Sequence, residues 1–288
     1  MQFVLIEIIQ YLCYNAFMKN ITDYIHFYIN YCPCYTDIKK VGGAYICTTK
    51  YVDYYDYNLA FVNTESDLTN AGLTDVENYF LKLNRTPALY EVNNRFRDNN
   101  DILKNYIAKN YTVKENDIWF VCDDIIKLKE RFAGFNNISQ ITLEKVNKNN
   151  VKYYKEFDSL GFSGYPEKLN NYDNYFKGLW EQYNTRLKNS TELYLIKYQN
   201  NYAGTIILSV NKNICYLSGF SIIPQYRKTK VLLALVLILN LLIEKKVDTI
   251  FCATAKNSYP AKLYKHLGLT KLCAGKVYTK NPAKTEKI

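Results

Sequence analysis

The stretch IIPQYRKTKVLLALVLILNLL, Ile222 to Leu242, drives three cations, Arg227, Lys228 and Lys230, straight into an almost unbroken apolar run. Three readings compete: a membrane anchor behind a positive patch, a buried helix, and a phosphate cradle opening onto a helix. The apolar run, Val231 to Ile243, is thirteen residues long and contains Asn240. A membrane span takes about 20 apolar residues, and a run of this length belongs to a buried helix. The cations sit at its N-terminus, where unpaired N–H groups and a partial positive charge attract anions. They would oppose that dipole unless an anion compensated them. The stretch therefore reads as a buried helix that begins at an anion cradle.

Working outward, three strands precede it: Glu192 to Tyr198, Tyr202 to Val210 and Ile214 to Ile222. The polar joints Gln-Asn-Asn and Asn-Lys-Asn mark antiparallel hairpins. Before them, Tyr172, Tyr175, Phe176, Leu179, Trp180, Tyr183 and Leu187 form one apolar helical stripe. Val151 to Leu160 reads as a helix, Thr142 to Val146 as a strand and GFSGYP, Gly161 to Pro166, as a loop. After the apolar helix come a strand Thr249 to Ala253, a helix Ala261 to His266 and a last strand near Lys276 to Thr279. The fold class is α+β, with a mixed, mostly antiparallel central sheet flanked by helices.

Further upstream, strands over Ile46 to Val62, Ala88 to Val92 and Ile118 to Cys122 alternate with helices Asp75 to Leu83 and Asp101 to Lys109. Thr74 reads as an N-cap with Glu77 completing a capping box. Residues 18–134 thus form a second, smaller α+β domain, with a linker over Lys127 to Gln140 and the main domain over 139–288. Met1 to Phe17 is an apolar extension with Glu7 and no early Lys or Arg, hence a poor secretory signal. Because Met18 follows, 1–17 is either a frayed or a wrongly assigned start.

The net charge of +10 is uneven. Met1 to Ile138 carries 14 Lys and Arg against 17 Asp and Glu, and the remainder carries 23 against 10. The second half is therefore expected to meet an anion, a phosphate-bearing cofactor or a nucleic acid. The 29 tyrosines accompany abundant Asn, Lys and Ile, as A/T-rich codons produce, so tyrosine beside lysine is a weak nucleic-acid signal here. Eight cysteines without repeated spacing and only two histidines give no metal-site pattern and fit reduced thiols in a cytoplasmic protein.

A strand ending Ile-Ile-Pro-Gln-Tyr-Arg before a helix resembles the acyl-CoA loop of the GNAT N-acetyltransferases, V-x-P-x-Y-R-x-x-G-x-G/A. Asn257, Leu263, Tyr264 and Gly268 in NSYPAKLYKHLGL match a second segment, N-x-x-A-x-x-L-Y-x-x-x-G-F. Both motifs lie in order on fitting elements, and the resemblance covers roughly the second half of the chain. Lys230 and Leu232 stand at the two small-residue positions, Pro260 at the alanine and Leu269 at the aromatic one. A Cβ at Lys230 would crowd a pyrophosphate, while its ammonium could bind one.

The resemblance implies an acyl-CoA N-acyltransferase-like fold and acetyl transfer from acetyl-CoA to a primary amine by direct attack on the thioester, without a metal. The first half would then be a degenerate copy of the same fold or an unrelated lid. Phe220, Ser221 and Ile222 would pair with the pantetheine arm, with the N–H of Phe220 or Ser221 steadying the oxyanion. Gly219 would mark a bulge or make room for a neighbour. Arg227, Lys228, Thr229, Lys230, Val231 and Leu232 would hold phosphates, or form a solvated basic turn. Asn257 would bind the arm or cap a helix, and Tyr264 would protonate the departing thiolate or be one more core tyrosine. The general base is left open among Glu192, Glu167, Asp158 and a water relay, and Tyr165 would border the acceptor site or lie on the surface. The acceptor is a small-molecule, peptide or protein amine. Rival readings are an inactive acyl-CoA binder and a basic nucleic-acid-binding protein; no membrane partner is expected. Because the helix from Val231 is apolar on nearly every side, the N-terminal domain or a homodimer partner should cover the face carrying Leu233 and Leu237.

Overall fold

Eleven strands hydrogen-bond into one sheet, and its order shows how the two halves are joined. The computed structural model describes residues 21–62, 68–93, 101–132, 134, 138–163 and 171–282. The sequence readings on Met1 to Phe17, Tyr165 and Glu167 lie outside these residues. A helix over residues 21–31 (α1) leads into β1 (Asp37–Val41), β2 (Ala44–Thr48), β3 (Leu59–Val62), α2 (Asn70–Lys82), β4 (Ala88–Val92), α3 (Asp101–Asn110) and β5 (Tyr111–Cys122). After α4 (Ile125–Glu130), β6 (Ile141–Lys145), α5 (Val151–Gly161) and α6 (Tyr172–Asn184) come β7 (Thr191–Tyr198), β8 (Asn201–Asn211) and β9 (Ile214–Ile222). The chain ends with α7 (Ala234–Glu244), β10 (Thr249–Ala255), α8 (Tyr259–Leu267) and β11 (Thr270–Lys280).

The strand order is β1-β2-β3-β4-β11-β5-β10-β9-β8-β7-β6. Pairing is antiparallel except at β3–β4 and β9–β10. From β1 and from β7 alike, the chain runs three antiparallel strands, a helix, a parallel strand, a helix and a last strand; the second half carries β6, α5 and α6 in front of that series. Those last strands are exchanged: β11 lies between β4 and β5, and β5 lies between β11 and β10. Neither half closes a sheet alone.

Helices cover both faces. Strand side chains alternate between faces. On one face α1, α5 and α6 pack on Trp119, Tyr216 and Phe251 and on Leu193, Leu195 and Ile207. On the other, α2 and α3 cover Ile46, Ala60 and Leu89, while α4, α7 and α8 cover Phe120, Leu208 and Cys252.

Several local readings change. Helix α2 starts at Asn70, because the side chain of Thr69 accepts the Gly72 N–H at 3.0 Å. Thr74 lies inside that helix and donates to the Asn70 carbonyl at 3.0 Å. The expected linker contains most of α4 and a 3-10 turn, Ile138–Gln140. The apolar helix opens as a 3-10 turn, Lys230–Leu233, capped by Thr229, and becomes α-helical only at Ala234. Leu128 and Phe132 of the N-terminal half lie over Leu235, Ile238 and Leu239. Leu233 and Leu237, expected on the face away from the sheet under a covering domain or partner, are instead half-buried against the strand residues Ile141, Ile196 and Ile222. Among the described residues no helix is long and apolar enough to cross a membrane, and none of the seven described cysteines is in a disulfide with another.

Candidate functional site

Strands β9 and β10 pair over only three positions, Ile214–Tyr216 with Thr249–Phe251. Beyond them β9 runs on to Ile222 and β10 to Ala255, so the two parallel strands part. The cause lies on the other edge of β9. Ser221 faces Thr205 and Ser218 faces Ile207, so Gly219 and Phe220 together oppose Ile206. That is a β-bulge, and Gly219 takes it at φ +57°, a left-handed conformation that glycine tolerates best. A Cβ there would also meet the Ile207 side chain at 3.0 Å. The bulge sharpens the local twist and turns the end of β9 away from its neighbour.

A cavity of about 430 Å³ occupies the resulting wedge. Leu217 to Phe220 line it from β9 and Ala253 to Ala255 from β10, with Pro260 and Tyr264 from α8. Most of the remaining wall comes from the N-terminal half, with Phe162 and Val277 added from the second. It includes Tyr57, Tyr90, Trp119 and the carboxylates Asp56, Glu115 and Asp117. Strand β5 brings Glu115, Asp117 and Trp119 to one face, with Trp119 opposite Ala253 and Asp117 opposite Ala255. Trp119 Nε1 donates to Tyr90 Oη at 2.7 Å, and Tyr90 Oη donates to Asp117 at 3.2 Å. Tyr55 donates to Glu115 at 3.1 Å. Gly275 of β11 leaves the space for Tyr90, since a Cβ there would come within 2.0 Å of the phenol oxygen.

No protein-family profile matches the chain, and no curated protein does. Solved structures do match. A functionally unknown conserved protein from Staphylococcus epidermidis aligns over 85% of this chain and 94% of its own at 12% identity, TM-score 0.64. A GCN5-related N-acetyltransferase from Kribbella flavida aligns over 85% and 90% at 9% identity, TM-score 0.59. A tandem GNAT protein from the clavulanic acid biosynthesis pathway aligns over 84% and 80% at 12% identity, TM-score 0.56. The chain has the GNAT fold.

The residues that the GNAT resemblance singles out do not all meet at the wedge. Phe220 and Tyr264 line the cavity. Burial, with the Cys252 thiol beside it, raises the Tyr264 phenol above its usual pKa, so its proton stays on at neutral pH. Ser221 is buried and its Oγ lies 2.8 Å from Thr205 Oγ1, while Ile222 belongs to the core. Arg227 is exposed, yet its guanidinium donates to the carbonyls of Ile222 (3.0 Å) and Gly161 (2.9 Å), tying the loop to α5. Lys228 and Lys230 are exposed beside it, Val231 is fully buried and Leu232 half-buried. Asn257 is exposed and is not part of the cavity wall; Ser258, not Asn257, caps α8 by accepting the Ala261 N–H at 3.2 Å.

The base candidates lie elsewhere. Glu192 is bound by Lys145, Lys245 and Tyr194. Asp158 is buried and accepts from Tyr172 at 2.8 Å and Thr205 at 2.7 Å. Neither lines the cavity. The acids that do, Asp56, Glu115 and Asp117, carry no motif; the insertion of β5 beside β10 brings Glu115 and Asp117 there, and the 3-10 turn Tyr55–Tyr57 brings Asp56. Among the described residues no group of His, Cys, Asp or Glu is placed to hold a metal ion.

Proposed function

We propose that the chain is an acetyl-CoA-dependent N-acetyltransferase of the cytoplasm, acting on a primary amine. The observation that carries this is the wedge at the Gly219 bulge with the Tyr264 phenol on its wall. Bound acetyl-CoA would supply the thioester that the amine attacks. The N–H of Phe220 or Ser221 would steady the developing oxyanion, and Tyr264 Oη would give its proton to the sulfur. Lys228 and Lys230, exposed before α7, would take the phosphates. Arg227 would instead hold the loop's shape through its two carbonyls. The element order shared by β1 to β5 and β7 to β11 supports reading the first half as a degenerate copy of the same fold.

A second reading, an acyl-CoA binder without turnover, is favoured by Lys230 and Leu232 at the small-residue positions and by the engagement of Arg227. Calorimetric titration of the full chain with acetyl-CoA separates the readings. Binding that weakens in the double variant Lys228→Ala, Lys230→Ala supports the acyl-CoA site. Binding without turnover on any of a panel of amines leaves the inactive binder. Absence of binding, together with nucleic-acid affinity that falls steeply with salt, would sink both.

A further inference from the structure

We infer that the N-terminal half builds the acceptor site, and that the acceptor is a cationic amine held by Glu115 and Asp117 beneath aromatic walls. This rests on the acetyltransferase reading only for what happens to the amine after it binds. The chain as a whole carries +10, yet the cavity inverts that sign. Its charged residues are Asp56, Glu115 and Asp117, and no Lys, Arg or His is among the described residues that line it. A cation entering this confined, partly apolar space meets carboxylates on its wall, and opposite charges attract more strongly there than in water.

The rest of the wall fits the same ligand. Tyr54, Tyr57, Tyr90 and Trp119 surround the carboxylates, and such rings favour an ammonium or an alkyl chain at their faces. Ser218 lines the cavity from β9, and its Oγ is buried with no hydrogen-bond partner among the described residues. A buried hydroxyl without a partner is costly, so a donor on the ligand would be welcome there. Placement is consistent too. Tyr264 comes from the helix layer of α7 and α8, whereas Glu115, Asp117 and Trp119 point to the face that α1 covers. An amine held by those acids would reach the wedge from the side opposite the phenol. Glu115 and Asp117 are two residues apart on one strand, hence about 7 Å, a separation that an extended four-carbon diamine spans.

The experiment is calorimetric titration of the full chain with 1,4-diaminobutane and with the uncharged 1,4-butanediol, both without acetyl-CoA. It is repeated on Glu115→Gln and Asp117→Asn, two variants whose side chains can still accept from Tyr55 and Tyr90. Each variant is also titrated with acetyl-CoA. The diamine should bind and the diol should not. Each variant should lose diamine affinity by about tenfold or more, since bonds to charged groups are the strong ones, and should keep its acetyl-CoA affinity. A diamine that fails to bind, binds no better than the diol, or binds both variants unchanged overturns the inference. If acetyl-CoA fails to bind while the diamine results hold, the acetyltransferase reading falls and the cation site stands.

Discussion

Exchanging Asp158 for asparagine should alter how stability depends on pH. Asp158 is 1% exposed, on α5, and its carboxylate joins Tyr172 of α6 to Thr205 of β8. Thr205 in turn contacts Ser221 beside the bulge, so this carboxylate supports the strand that shapes the wedge. Burial raises its pKa from 3.8 to about 6, against the lowering pull of the two hydroxyl donors. The folded chain therefore holds this proton more tightly than the unfolded chain does. Stability contributed by the neutral form is complete below the unfolded value of 3.8 and is lost as pH rises to about 6. A gap of about two pKa units corresponds to about 3 kcal/mol. Asparagine has no such titration. It offers one acceptor oxygen instead of two, a pH-independent cost of about 1 kcal/mol. Urea unfolding of both chains, followed by circular dichroism between pH 4 and pH 7, reads the difference directly. The variant should start the less stable at pH 4 and gain about 2 kcal/mol on the natural chain by pH 7, since the unfolded carboxyl is already partly ionised at pH 4. Curves that stay parallel within about 0.5 kcal/mol would refute the argument, because the carboxylate would then be ionised at no cost.

Tyr264→Phe keeps the ring in its place against Phe120 and removes only the hydroxyl. Its unfolding curve should stay close to that of the natural chain while turnover on an identified amine falls about 10²-fold or more; equal turnover would remove the phenol from the mechanism. Gly219→Ala forces a side chain into φ +57° against Ile207 and should cost about 1–2 kcal/mol in urea unfolding. An unchanged midpoint would show that the bulge needs no glycine. A chain starting at Ser139 lacks β4 and β5, the two partners of β11, and loses α4 from over α7. It should aggregate or associate on gel filtration, and a soluble monomer as heat-stable as the full chain would contradict the interleaved sheet.

Elements with local causes were legible in the sequence. The three strands before the bulge followed from alternation and polar joints, and their observed limits differ by a residue or two. The glycine in β9 left a bulge and room for a neighbour open on paper, and the φ of +57° with the register shift shows the bulge. The length of the apolar run excluded a span. Helix starts were less legible: the sequence reading puts the cap at Thr74, and only the hydrogen bond that Thr69 accepts from the Gly72 N–H moves it five residues earlier. Likewise Arg227 looked like a phosphate ligand, since nothing in the sequence shows that Gly161 comes within its reach.

The sequence by itself determined the acyltransferase-like order of elements in the second half, the position of the basic loop before its apolar helix and the tyrosine at the wedge. Each rests on spacing along one strand or one helix, which is a local property. The tertiary structure alone decided that β5 and β11 change places, and therefore that Glu115 and Asp117 of the first half share a cavity with Tyr264. Strand exchange is a choice between hydrogen-bonding partners far apart in the chain. An edge presents the same N–H and C=O groups to any strand, so no local pattern records which one it accepts.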